Sequence, residues 1–231
     1  MFQGYNDETF EFFMAIRFNN NTDFFHGNRD WYLRGVREPS LALAQALGPV
    51  VEEIDANLER RPHRVVSRIN RDIRFSNDKS PYRDYIWLSF HRTDVDKDTM
   101  LGMYFDISDA GGSYGIGFYR GNKPLMNAMR RQIAANPDAM LEIVAPLMAE
   151  YTLHADCYKR MAVPENVPDM LRPLYTAKGF YFSKDLNDFG LLKSAALADE
   201  VADGFRKFAP LYRFFSELTP EEDPDATVRR N

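Results

Sequence analysis

The sequence predicts an α+β protein: a central antiparallel sheet flanked by N-terminal and C-terminal helices. Three observations predict it. Apolar residues recur at helical spacing over residues 6–54, strand-like alternation is confined to the middle of the chain, and helical spacing returns after Asn122. Strands gathered in one block, with helices to either side, favour an antiparallel sheet over alternating βαβ units.

The first helix is expected over residues 6–19. Asn6 is its N-cap, Asp7 and Glu8 occupy its first turn, and Phe10, Phe13, Met14 and Phe18 follow helical spacing. The polar cluster Asn19 to Asp23 ends it. A second helix is read through Trp31, Tyr32 and Val36. Pro39 is expected to close that helix and open a third, which contains Leu41, Leu43, Leu47, Val51 and Ile54. Alternation then predicts strands over 64–69, 85–91, 100–107 and 113–119, the last two joined by the turn Ser108-Asp109-Ala110-Gly111-Gly112. Pro124 opens a helix through Leu125, Met129 and Ile133. Asn136-Pro137 opens another, through Leu141, Val144 and Leu147. Residues 160–177 are Pro-rich and read as a surface excursion with a short helix. Residues 195–217 read as a last helix, weakened by Gly204 and Pro210. The reading is one α+β domain over 1–218 and a flexible C-terminal tail over 219–231.

Composition excludes several classes. The 231 residues are 45% hydrophobic, with eighteen Phe and twelve Tyr, which suits a packed core and not a disordered chain. A net charge of −5 argues against a nucleic-acid coat or a membrane-surface protein. Cys157 is the single cysteine, so no disulfide forms within the chain, as in a reducing compartment. The start lacks the basic and apolar regions of a secretory signal, and no apolar run approaches ~18 residues. A cytoplasmic protein with no membrane association is expected.

Charge is segregated. Residues 60–92 hold nine Arg or Lys against three Asp, while the remainder holds twenty basic and thirty-one acidic residues. Within that segment, Arg68, Arg71, Asp72, Arg74, Phe75, Asp78, Lys79 and Tyr82 spell RxxRDxRFxxDKxxY. This string resembles the hallmark of a bacterial family known as domain of unknown function 2461. The chain length, the aromatic first helix with its Asn19-Asn20 pair and the later Gly-rich strand fit the same family. Arg83 departs from it, since a lysine is more usual there. The resemblance covers nearly the whole chain. It implies a bacterial origin and a shared fold, and it carries no activity.

Physically, Arg offers a planar fork of donors that matches carboxylate and phosphate oxygens. Arg68, Arg71, Arg74 and Lys79 are the candidate anion ligands. Asp72 and Asp78 would orient them, and Asp78-Lys79-Ser80-Pro81 is turn chemistry. The competing reading is an internal ion-pair network that holds a loop against the sheet.

Alternation also sorts the strands into faces. Ile86, Leu88 and Phe90 oppose Tyr85, Trp87, Ser89 and His91; Met103, Phe105 and Ile107 oppose Gly102, Tyr104 and Asp106; Tyr114, Ile116 and Phe118 oppose Ser113, Gly115, Gly117 and Tyr119. The second faces form a shallow floor where Tyr82, Trp87 and Tyr104 would wall a ligand. Gly115 and Gly117 admit either a ligand or a packed helix. A nucleic-acid platform is disfavoured, because these faces carry no Lys or Arg.

Gly111 to Gly117 lacks dinucleotide-binding spacing, and no Walker lysine, GxSxG or HExxH string occurs. His26, His63, His91 and His154 are scattered, so neither a metal nor a cofactor is predicted. His154 and Cys157 form a weak nucleophile candidate, set against the ordinary role of a lone cysteine as a small hydrophobe. Two function classes follow. One is a binding or enzymatic module for a small phosphate- or carboxylate-bearing compound, with Asp72, Asp106 or His91 as the acid–base group if there is turnover. The other is a non-enzymatic interaction or self-association module in which the motif is structural. The sequence leaves open whether it is an enzyme and what oligomer it forms.

Overall fold

The structure, a computed structural model, describes residues 1–74, 77–95 and 100–219. Phe75 of the motif and the expected tail beyond Thr219 lie outside the described residues. The α+β class is as expected, with one antiparallel sheet of five strands and helices at both ends.

Helix α1 spans Asp7–Phe18 and begins with a reciprocal cap. Asn6 accepts a hydrogen bond from the Thr9 N–H at 3.3 Å, and Thr9 Oγ1 accepts one from the Asn6 N–H at 3.2 Å. Its buried stripe is Thr9, Phe10, Phe12, Phe13 and Ile16. Met14 and Phe18 are instead exposed, because the stripe turns through Phe12 and Ile16. Helix α2, Thr22–Gly27, is capped by Asn21. Helix α3, Arg29–Tyr32, runs into a π-helical turn, Leu33–Arg37, and then into α4, Glu38–Ile54.

Pro39 therefore does not separate two helices, as the sequence suggested. A proline leaves the carbonyl four residues earlier without its helical donor. Here that carbonyl is Gly35 O, and it accepts the Thr9 hydroxyl at 2.5 Å. The wider turn at 33–37 absorbs the proline ring, as such bulges do elsewhere. Gly35 sits against the Glu8 backbone, which lets α1 approach this turn closely.

A short helix, α5 (Pro62–Val65), precedes β1 (Tyr85–Phe90), β2 (Gly102–Ser108) and β3 (Gly111–Gly117). Residues 64–69 were expected as a strand; the structure keeps only an isolated bridge, Val66 to Leu88. Then come α6 (Lys123–Ala135), α7 (Pro137–Glu150), β4 (Thr152–Cys157), α8 (Arg172–Thr176), β5 (Ala177–Leu186), α9 (Phe189–Leu192) and α10 (Ala196–Glu217). The strand order is β1-β2-β3-β5-β4. Alternation did not reveal β4 and β5. Gly179, Lys178, Lys184 and Asp185 dilute the hydrophobic pattern of β5, and β4 has no fully buried residue.

The chain forms two compact units. The first holds Met1–Phe90, Tyr104–Tyr114 and Asp185–Arg206. Its core includes Phe12, Phe13, Leu43, Leu47, Ile86, Leu88, Phe105 and Phe205, all fully buried. The second holds His91–Met103, Gly115–Lys184 and the chain from Lys207. Its core includes Met103, Ile116, Met129, Ile133, Leu174 and Phe182. In this second unit, Gly117 lies against Tyr181 of β5. The close neighbour that its missing side chain admits is a strand, not the helix expected.

Helix α10 runs unbroken through Gly204 and Pro210. Pro210 and Arg206 both lie on the exposed side, so the freed Arg206 carbonyl reaches water. Gly204 has a different role: an added methyl would overlap the ring of Tyr114, whose hydroxyl donates to Glu200 at 2.9 Å. Gly→Ala inside a helix ordinarily stabilises by ~1 kcal/mol. Gly204→Ala is expected to destabilise instead, by ~1–3 kcal/mol, through overpacking. Urea unfolding checks the sign.

Candidate functional site

The motif folds around a local backbone pairing in the first unit. Residues 66–71 run antiparallel to residues 81–88. The Ser67 N–H donates to Trp87 O, the Arg71 N–H to Pro81 O and the Arg83 N–H to Ile69 O, each at 2.8 Å. Ser67 Oγ also accepts the Trp87 N–H at 3.1 Å. Residues 72–74 and 77–80 are the described part of the segment between these arms.

The base of the loop is held from the other side by Asn20. In the Asn70–Tyr82 bridge, the Tyr82 N–H and C=O point away from Asn70. The Asn20 carboxamide meets both. Its Oδ1 accepts the Tyr82 N–H at 3.0 Å, and its Nδ2 donates to Tyr82 O at 2.9 Å. One side chain thus stands in for a neighbouring strand. The Tyr82 ring is 4% exposed and stacks on Phe25 at 4.2 Å, so it belongs to the core and not to an open wall.

Inside the loop, two aspartates make the local turns the sequence predicts. Asp72 Oδ1 accepts the Arg74 N–H at 3.2 Å, and Asp78 Oδ1 accepts the Ser80 N–H at 2.9 Å. The cations then close on these carboxylates and on backbone carbonyls. Arg74 grips Asp72 in a fork, Nε at 3.0 Å and Nη2 at 2.7 Å. Arg71 Nη1 meets Asp78 at 3.1 Å, and its Nη2 donates to Tyr82 O at 3.4 Å. Lys79 Nζ donates to Ile73 O at 2.8 Å. Arg83, noted in the sequence only as a departure, donates from Nη1 to Arg68 O at 2.8 Å and to Asn70 O at 2.5 Å. Its guanidinium carbon lies 4.6 Å from the centre of the Trp87 ring.

Arg68 differs from the rest. It is exposed, and its guanidinium has no hydrogen-bond or ion-pair partner among the described residues. The structure thus divides the predicted cations: Arg71, Arg74 and Lys79 are held by the loop, and Arg68 is presented. Arg71 Nε is buried and unpaired among the described residues.

Local hydrogen bonds, ion pairs and burial set the proton affinities. The Arg74 fork holds the Asp72 carboxyl down at about 2. Asp78 is lowered mainly by hydrogen bonds from Ser80, with a smaller contribution from the Arg71 charge. Asp106 moves the opposite way. Desolvation pushes it up, the Ser113 hydroxyl donating at 2.8 Å counters this, and the charge of Asp185 adds to the rise.

The sheet faces sort as alternation predicts. Ile86, Leu88, Phe90, Phe105 and Ile107 are fully buried, while Trp87, Tyr104, Asp106 and Ser113 of the first unit are half-buried on the opposite faces. Trp87 and Tyr104 lie on adjacent strands, β1 and β2. His91 belongs to the second unit, half-buried, with Nδ1 enclosed and unpaired among the described residues. Among the described residues, no group of three His, Cys, Asp or Glu is arranged to hold a metal ion, and no helix is long and apolar enough to cross a membrane.

Sequence reasoning missed Asn20 and Arg83 as parts of the site. Asn20 lies sixty-two positions from Tyr82, and no local pattern announces such a contact.

A family model described as "Conserved hypothetical protein (DUF2461)" matches residues 8–214. No curated protein matches the chain.

Two outcomes are expected from this geometry. Asn20→Ala removes both hydrogen bonds to the Tyr82 backbone and is expected to cost ~1–3 kcal/mol. Faster proteolytic nicking within 72–80 should accompany the loss, read by mass spectrometry beside urea unfolding. In carboxyl NMR titration, Asp72 should stay ionised well below the usual 3.8, with a midpoint of about 2. Because the folded value lies below the unfolded one, the Asp72–Arg74 contribution is complete above that usual value and is lost as pH falls toward the folded one.

Proposed function

Since the chain belongs to the DUF2461 family of conserved hypothetical proteins, whose description carries no activity, we propose a function from the site itself: the protein binds a small phosphate- or carboxylate-bearing ligand. Arg68 is the gripping cation, and Trp87 with Tyr104 supplies the aromatic wall. The observation that carries this reading is the division among the motif cations. Arg71, Arg74, Lys79 and Arg83 each have hydrogen-bond partners within the protein, and Arg68 has none among the described residues. A guanidinium that the fold does not use keeps its donors for an outside acceptor.

The other charged positions serve this one indirectly. Asp72 and Asp78 set the turns, Arg71 ties the loop to its base, and Arg83 links the Arg68 carbonyl to the Trp87 ring. Lys79 and Arg74 lie at the solvent side of the loop and add positive potential, which salt screens. If the ligand is turned over, Asp106 is the acid–base group this reading favours. Its proton affinity, raised by burial, and its place on the half-open face of β2 suit proton exchange better than the carboxyl of Asp72, which its arginine fork holds ionised.

A second reading has its own support. Ile73 is 40% exposed within the held loop, as a residue presented to a protein partner would be. In that case the charged motif is a scaffold for an interaction loop, without enzymatic activity.

Calorimetric titration with inorganic phosphate and a panel of phosphorylated and carboxylated metabolites separates the two. Ligand binding predicts saturable heat that weakens at least about tenfold in Arg68→Gln, with melting unchanged because the Arg68 side chain has no hydrogen bond or ion pair to lose among the described residues. Arg71→Ala should instead lower stability by ~1–2 kcal/mol. A panel without saturable binding removes the anion-binding reading and leaves the interaction loop.

A further inference from the structure

The two outer edges of the sheet differ. The outer side of β1 is paired at Leu88 and Trp87 by Val66 and Ser67. The outer side of β4 faces no other strand among the described residues. An uncovered edge carries backbone donors and acceptors that can pair with another strand.

The register shows which residues present those groups. Phe180 O accepts the Phe118 N–H at 3.1 Å, so the backbone of Phe180 points away from β4. Ala155 lies directly opposite Phe180. In an antiparallel pair, two opposed residues that do not hydrogen-bond to each other point their backbone groups outward on both sides. Ala155 therefore directs its N–H and C=O to the free edge, and alternation adds Leu153 and Cys157. Among the described residues, the Ala155 carbonyl accepts one hydrogen bond, a long one from the Cys157 thiol at 3.8 Å.

Side chains on the same strand carry opposite chemistry at alternate positions. His154 is stacked on Tyr181 at 4.4 Å and 10°, and its Nε2 lies 3.0 Å from Ser183 Oγ, which fixes the ring. Asp156 pairs with Lys178 Nζ at 3.0 Å. Both project from the same face, since they pair with Tyr181 and Gly179.

We propose that the free edge of β4 pairs antiparallel with the same edge of a second copy of this chain, about a two-fold axis at Ala155. Outward residues hydrogen-bond only to outward residues, which limits the registers. Setting Leu153 against Ala155 of the second copy would put His154 opposite His154. Setting Ala155 against Ala155 puts each His154 opposite an Asp156 of the second copy, in the closely spaced, non-hydrogen-bonded position where cross-strand side chains interact most. An imidazole donor facing a carboxylate acceptor is the complementary pair and selects the second register, which supplies about six new backbone hydrogen bonds. Any other strand arriving at this edge meets a histidine and a carboxylate without their complements, so the same residues discourage indiscriminate pairing. A two-fold contact of one edge with itself closes and does not propagate.

Light scattering coupled to size exclusion on the full chain, from low to high micromolar concentration, reads the outcome. The wild type should give a concentration-dependent dimer. Ala155→Pro deletes an outward N–H and no bond to β5, so it should leave circular dichroism and melting intact and return the mass to that of a monomer. His154→Asp sets Asp against Asp and should weaken the dimer about tenfold or more, and His154→Asp with Asp156→His should restore it. A wild type that stays monomeric throughout overturns the proposal. So does a dimer that survives Ala155→Pro, or a double swap no better than His154→Asp alone.

Discussion

The charged loop depends on a single carboxamide. Tyr82 sits where residues 66–71 and 81–88 meet, and half of its backbone hydrogen bonding points away from that pairing. Asn20 satisfies both groups at once. A buried backbone N–H or C=O left unpaired costs about as much as a lost hydrogen bond, so the end of α1 and the base of the loop are fixed to each other. The Tyr82 ring on Phe25 then anchors the same residue from its side chain. With the base fixed, the short-range bonds of Asp72, Asp78 and Lys79 shape the loop without a core of their own.

That arrangement explains why the charges should not be read as a stability device. The Arg74–Asp72 pair is exposed on both sides, and pairs of that kind contribute little in water. Their work is geometric: Asp72 and Asp78 each fix a turn by accepting a backbone N–H, and the Arg74 fork holds the Asp72 carboxyl ionised. Arg83 does similar work through carbonyls and an aromatic face, a use for which a lysine lacks the planar fork. Arg68 is the residue that these constraints do not explain.

The sheet divides its surfaces in the same economical way. One face of β1 and β2 is fully apolar and buried, and the other keeps Trp87, Tyr104 and Asp106 half open. One edge is paired by Val66 and Ser67, just ahead of the motif, and the other carries a histidine stacked on Tyr181 and an aspartate paired with Lys178. Face and edge are separate chemical resources, one in each compact unit.

The sequence by itself determined the α+β class, most helices, the hairpin at Ser108–Gly112 and the inward and outward faces of β1 and β2, whereas both faces of β3 are covered at Gly115 to Gly117. These follow from local periodicity and from caps and turns that act within a few residues. It also isolated the charged segment and identified the family, because a long string of specified residue types is legible without a structure. Tertiary structure decided the rest. Pro39 stays inside a helix because Thr9, thirty positions away, bonds the carbonyl that the proline leaves open. The strands β4 and β5 form because partners distant in sequence complete ladders that their own patterns only faintly suggest. Whether an arginine grips its neighbour or faces water depends on which carboxylates and carbonyls the fold brings within about 3 Å, the reach of a hydrogen bond, and no one-dimensional spacing encodes that distance.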